Sequence, residues 1–93
     1  MIGLSWNCRG IGGASTVRDL TALVQSHRPQ FVFLCETRQK SNKVRRLRHR
    51  LGLHGFSGVD SNGQSGGLAL FWNDQLSVEI RDQNERMIDA YVR

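Results

Sequence analysis

Five consecutive apolar residues, Phe31-Val32-Phe33-Leu34-Cys35, are followed at once by Glu36-Thr37-Arg38. The run is too short for a helix and is rich in strand formers. A strand that is apolar on both faces must lie between two layers, and such strands usually run parallel to their neighbours. The chain has 93 residues. A chain of that length hides roughly 60–65% of its unfolded surface, which allows one domain and one modest core. The run therefore points to a layered α/β domain.

The flanking pattern agrees. Met1–Asn7 reads as a strand, with Ile2, Leu4 and Trp6 alternating with Gly3 and Ser5. Cys8-Arg9-Gly10-Ile11-Gly12-Gly13 reads as a flexible loop. A helix is expected from about Thr16, where Thr16 and Asp19 have capping-box spacing. Its apolar stripe is Val17, Leu20, Leu23 and Val24, and Pro29 stops it. A second helix is expected from about Ser41 to Leu51, closed by Gly52. His54–Asp60 is a weak strand, Asn62-Gly63 a turn, and Gly67–Trp72 a second buried-type strand. Leu76, Val78 and Ile80 alternate with polar residues, and Met87–Val92 reads as a last strand. The predicted architecture is β-α-β-α followed by a β meander of about four strands, with the later part antiparallel.

Charge adds a partner class. Thirteen Lys and Arg against eight Asp and Glu give a net charge of +5. The excess is local: Arg38, Lys40, Lys43, Arg45, Arg46, Arg48 and Arg50 fall in one stretch with no acid among them. Such a face favours a polyanion, although a merely solvated helix face carries charge in the same way. No apolar run approaches the ~18 residues of a membrane span, and Met1–Trp6 lacks the features of a signal peptide. No membrane association is expected. Cys8 and Cys35 match no disulfide framework or zinc spacing. They are expected to be reduced thiols in an intracellular protein.

If the first two strands are parallel, right-handed crossover brings both carboxyl ends to one edge of the sheet. Asn7 ends the first strand and Glu36 follows the second. Open α/β sheets bind ligands at that edge. A carboxylate there suits a hard cation such as Mg²⁺, which takes one or two protein oxygens plus waters and phosphate. An amide can orient a phosphate oxygen. Strand termination also accounts for both residues, so the pattern alone leaves two readings open.

Three segments resemble the endonuclease/exonuclease/phosphatase superfamily. They are Ser5-Trp6-Asn7-Cys8-Arg9-Gly10, Phe31-Val32-Phe33-Leu34-Cys35-Glu36-Thr37 and Ser65-Gly66-Gly67-Leu68-Ala69-Leu70-Phe71-Trp72. They look most like the apurinic-endonuclease-type domain at the front of plant LINE (non-LTR) retrotransposons. The resemblance implies the N-terminal portion of a two-sheet α/β sandwich, Mg²⁺-dependent phosphodiester hydrolysis, a DNA partner and possible residence in the nucleus. Through it, Asn7 and Glu36 become the catalytic and metal-binding candidates. Arg9, Arg38 and Lys40, near the same rim, become candidates for phosphate contact. The basic residue that often precedes the Ser-Gly-Gly of relatives is Gln64 here, which weakens a phosphate role for that turn.

The family domain runs well beyond this length. Its later Tyr, Asp-x-Asn and Asp-His elements have no counterpart in residues 1–93. His27, His49 and His54 fall in the wrong segments for a catalytic histidine, and Asp89 and Tyr91 read as structural. The expectation is therefore the front part of a domain, inactive alone. An uncovered apolar sheet face would leave it prone to self-association. Two alternatives stand beside this. One is a non-catalytic, basic nucleic-acid-binding fragment. The other is a dinucleotide-binding module, since Gly10-Ile11-Gly12 lies between a strand and a helix, although Ser15 occupies the third glycine position.

Overall fold

The computed structural model describes all residues, Met1–Arg93. Its elements are β1 (Gly3–Asn7), α1 (Ala14–His27), β2 (Phe31–Cys35), α2 (Ser41–Val44), a 3-10 turn (Arg45–Leu47), α3 (Arg48–Leu51), β3 (Gly55–Val59), β4 (Leu68–Trp72), β5 (Val78–Asn84) and β6 (Met87–Val92). Strands β1 to β4 form one mixed sheet in the order β1-β2-β4-β3. β1 and β2 are parallel, and β4 runs antiparallel to both β2 and β3. β5 and β6 form a separate antiparallel pair. This two-sheet α/β arrangement is the front portion of the expected sandwich.

The register explains the core. Leu4, Val32, Phe71 and Phe56 lie across from one another, as do Trp6, Leu34, Ala69 and Gly58. The helices cover this face. Val32, Leu34, Ala69 and Phe71 are completely buried against Val17, Leu20 and Val24 of α1 and against Val44, Leu51 and Leu53. Each large side chain removed from water in this way contributes about 1.5–3 kcal/mol.

The opposite face carries Phe31, Phe33 and Cys35 of β2 beside Leu68, Leu70 and Trp72 of β4. Leu68 and Leu70 are buried, but the other four are only half-buried. The Phe31 ring lies where a side chain on Gly3 would stand, and the Trp72 indole does the same over Gly55. Both edge glycines are thus roofed by aromatic neighbours. The β5–β6 hairpin begins a second layer. It is tied to β3 through Ser57 Oγ, which donates to Gln83 Oε1 (2.7 Å), and Gln83 Nε2, which donates to the Gly58 carbonyl (3.4 Å).

Three expectations change in detail. Helix α1 begins at Ala14 with Gly13 as its N-cap, and no side chain caps it, so the Thr16–Asp19 box does not form. The basic helix over Ser41–Leu51 breaks into α2, the 3-10 turn and α3. Lys43 with Arg46, Arg45 with Arg48 and Arg46 with Arg50 stand three or four residues apart with no intervening acid. Such like-charged pairs disfavour a continuous helix by roughly 0.2–0.5 kcal/mol each. The break is held by Arg48, whose Nε donates to the Arg45 carbonyl and whose guanidinium also reaches the His54 carbonyl, both at 3.2 Å. The four later strands are present but divided: β3 and β4 complete the first sheet, while β5 and β6 start the second.

Candidate active site at the strand rim

Parallel pairing sets Asn7 opposite Cys35, one residue before Glu36. The candidate amide and carboxylate therefore occupy adjacent strand ends on one edge. The ladder continues past the strands. The Cys8 amide donates to the Cys35 carbonyl (3.2 Å), Gly10 to Glu36 (2.8 Å) and Ile11 to Thr37 (2.9 Å). On the other flank Thr37 donates to Gly67 (3.2 Å) and Arg38 to Gly66 (2.8 Å). Three loops, one from each matching sequence segment, are thereby laced into one rim. The Gly10 and Ile11 amides are engaged in this lacing and are not free to cradle a pyrophosphate, which counts against a dinucleotide site.

The rim is conformationally strained. Arg9 (φ 48°), Glu36 (φ 52°) and Arg38 (φ 55°) are left-handed, a region that costs a non-glycine residue about 1–2 kcal/mol. The remaining left-handed non-glycine residue, Arg28, is the C-cap of α1. Three of the four left-handed non-glycine residues thus stand at this rim, and such outliers cluster at functional sites. The lacing of the loops over-determines the backbone and holds the strain in place.

Glu36 keeps its carboxylate half-exposed. Its only cationic neighbour is Arg38, at 3.8 Å between Nη2 and Oε2. At that distance and exposure the pair contributes at most about 1 kcal/mol, so the carboxylate remains available. Asn7 Oδ1 accepts the Arg9 amide at 3.2 Å, which fixes the amide side chain across the start of the loop. Arg9 is exposed at the same turn. Lys40 lies further along and its ammonium contacts the Ser61 carbonyl at 3.4 Å. The two rim arginines thus stand with Asn7 and Glu36, while Lys40 is held by the link between β3 and β4.

Cys8 is buried beneath the rim, and its thiol contacts the Cys35 and Glu36 carbonyls at 3.2 and 3.4 Å. Burial raises its pKa above the ordinary 9.0, so it stays protonated and donates. Thr37 is completely buried, and its hydroxyl has no hydrogen-bond partner. It occupies the space that a side chain at Gly67 would need, and Gly67 is itself left-handed (φ 94°). The Gly66-Gly67 turn is therefore shaped by Thr37 inside the rim. Thr37 was not a candidate from sequence, although the Gly-Gly pair was a signal of close packing there.

The donor chemistry fits a hard divalent cation: one carboxylate and one amide oxygen on a single edge, leaving most coordination to water and phosphate. No cluster of three or more His, Cys, Asp or Glu residues stands anywhere in the chain. His27 caps the end of α1 through the Leu23 carbonyl (3.0 Å), and His49 and His54 stack edge-on at 6.5 Å. Tyr91 lies between Arg81 and Arg93, 4.7 and 4.9 Å from its ring. None of these joins the rim.

Comparison with solved structures gives a match to the crystal structure of the Xenopus laevis APE2 catalytic domain, with a TM-score of 0.57 and 21% sequence identity. The match covers 86% of this chain and 26% of that one, so the chain spans about a quarter of its length. The likeness shows the fold. No curated protein matches. The family model for the endonuclease/exonuclease/phosphatase family matches residues 4–93, which takes in β1 from its second residue, β2, β4 and the whole rim. On that match, the chain belongs to the endonuclease/exonuclease/phosphatase family.

Proposed function

We propose that the chain supplies the front of a Mg²⁺-dependent phosphodiester-hydrolysing site that acts on DNA, of the kind found in retrotransposon endonucleases. The observation that carries this reading is the placement of Asn7 and Glu36 on neighbouring strand ends of a strained, laced rim. Glu36 would hold the cation and Asn7 would orient the phosphate. When bound, Mg²⁺ supplies Lewis-acid polarisation of the phosphoryl group. Arg9 and Arg38 would neutralise neighbouring phosphates, and their charge makes binding salt-sensitive.

These residues include no general base for water, so the chain alone is expected to have little or no nuclease activity. Two measurements test the reading. Adding Mn²⁺ as a paramagnetic substitute should broaden the backbone amide signals of Cys8 and Glu36, and Glu36→Gln should abolish the broadening. No broadening in the native chain would sink the metal assignment. Incubation with abasic-site or plasmid DNA and Mg²⁺ should give no cleavage; cutting that is lost in Glu36→Gln would overturn the inactivity.

The second reading, a non-catalytic nucleic-acid binder, is favoured by the exposed side chains of Lys43, Arg45, Arg46 and Arg50. It requires DNA binding that falls steeply with salt, with no metal bound at Glu36.

A further inference from the structure

Beside the rim, a cleft of about 420 Å³ opens between the Cys8–Gly13 loop with α1 on one side and the segment Gln39–Leu47 on the other. That volume falls in the usual range for small-ligand sites, about 300–1,000 Å³. Ile11, Val17 and Val44 make an apolar floor and are all buried. Lys43 and Arg46 stand at its exposed lip. The single ion pair of the molecule joins Arg38 to Glu36, so neither Lys43 nor Arg46 has an acidic partner, and no acid lines the cleft.

The cleft is continuous with the rim through the backbone. Ile11 and Gly12 belong to the loop whose amides ladder onto Glu36 and Thr37, and Gln39 is the next residue after Arg38. Gln39 Nε2 lies 2.6 Å from the position a Cβ would take on Gly12. A side chain at position 12 would push the amide out, so glycine there keeps a neutral donor beside two cations. Two free cations and an amide donor over a low-dielectric floor match a phosphodiester, whose charge is attracted more strongly where water is partly excluded.

We propose that this cleft is a subsite for a backbone phosphate of a polynucleotide, beside the bond addressed by the rim, with Lys43, Arg46 and Gln39 as its contacts. The proposal deepens the DNA-acting reading above and rests on it for the nature of the ligand. Charge alone predicts a different result: any two exposed arginines of the basic stretch would serve equally. The subsite instead singles out the two cations that share a cleft with Gln39.

The test is fluorescence anisotropy of a labelled abasic-site duplex over a salt series. Lys43→Gln/Arg46→Gln should lower the slope of log K against log salt by between about 0.9 and 1.8, the value for one or two lost phosphate contacts. Arg45→Gln/Arg50→Gln removes the same charge outside the cleft and should lower it by less than half as much. Circular dichroism melts of both variants should match the native chain. A scan of single methylphosphonate substitutions in the duplex should find a position that weakens the native chain and leaves Lys43→Gln/Arg46→Gln unaffected. Inorganic phosphate at matched ionic strength should not compete. Equal slopes for the two double variants, no such methylphosphonate position, competition by free phosphate, or no duplex binding at all would each overturn the subsite. Glu36→Gln separates the two proposals. A cleft effect that persists when Glu36 proves irrelevant to Mn²⁺ leaves the subsite standing and the rim metal site refuted.

Discussion

The four-stranded sheet and the β5–β6 hairpin are both β structure, yet they are built on different principles. In the sheet, β2 and β4 pair on both edges, and Val32, Leu34, Ala69 and Phe71 are sealed under α1. In the hairpin every residue from Arg81 to Met87 is exposed, and only Val78, Ile80, Ile88 and Ala90 are half-buried. The hairpin's hydrogen bonds are mostly its own; its tie to the sheet is Gln83 against Ser57 and Gly58. Two-stranded pairs are marginal in water without a packed face. The comparison teaches that strand formation here follows from alternation, whereas strand stability follows from a second layer, which only the sheet has on its helix side.

The largest expected effect tests this contrast directly. Phe71→Ala opens a cavity at the centre of the sheet and should cost about 3–5 kcal/mol, enough to remove most of the stability of a small domain. Ile88→Ala in the hairpin should cost about 1 kcal/mol or less. Urea titration of both variants measures the difference, and equal costs would abolish the distinction.

A smaller effect is expected at the rim. Gly67→Ala must adopt a left-handed backbone and displace Thr37, so a loss of at least about 1–2 kcal/mol is expected. Thr37→Val keeps the shape and removes an unpartnered buried hydroxyl, so it should be neutral or stabilising by up to about 1 kcal/mol. Thermal melts report both. A strongly destabilised Thr37→Val would show that the hydroxyl has a partner after all.

Cysteine chemistry divides the same way. Cys35, half-buried on the open sheet face, should be alkylated by iodoacetamide well before Cys8, which is buried on the helix side. Because burial raises the Cys8 pKa, its contribution is fully present below the ordinary 9.0 and is lost as pH rises through the higher folded value. Stability should therefore decline on the alkaline side, and Cys8→Ala should flatten that decline in melts from pH 8 upward. The smallest effect is at Asp60. Its carboxylate accepts the Ser41 backbone amide (2.7 Å) at the start of α2, which lowers its pKa below the ordinary 3.8. That support is complete above pH 3.8 and is lost as pH falls through the lower folded value. The protection of the Ser41 amide, taken relative to its intrinsic exchange rate at each pH, should fall there and hold steady above it.

Much of this was legible in the chain itself. The apolar runs at Phe31–Cys35 and Leu68–Trp72 mark the two strands that lie between neighbours, because only central strands need both faces apolar. The adjacency of Asn7 and the residue before Glu36 follows from crossover handedness once those strands are placed. The break in the basic segment was not legible, because helical spacing of Val44, Leu47 and Leu51 masks the repulsion between cations on the opposite side. Thr37 was not legible either: a threonine beside a charged motif gives no sign that it will be buried without a partner. Nor does local pattern reveal that β4 sits between β2 and β3, since sheet order depends on contacts distant in sequence.

That sheet order has a consequence for how the protein is made. A ribosome delivers β1, α1 and β2 first, but the strand that must sit beside β2 emerges last of the four, behind β3. Until it arrives, the ledge bearing Glu36 has a neighbour on one flank only, and the Thr37 and Arg38 amides lack the Gly67 and Gly66 carbonyls they pair with. The half of the lacing that runs between the first two strand ends needs only residues 1–37, whereas the half that closes the other flank of the rim waits for Gly66 and Gly67.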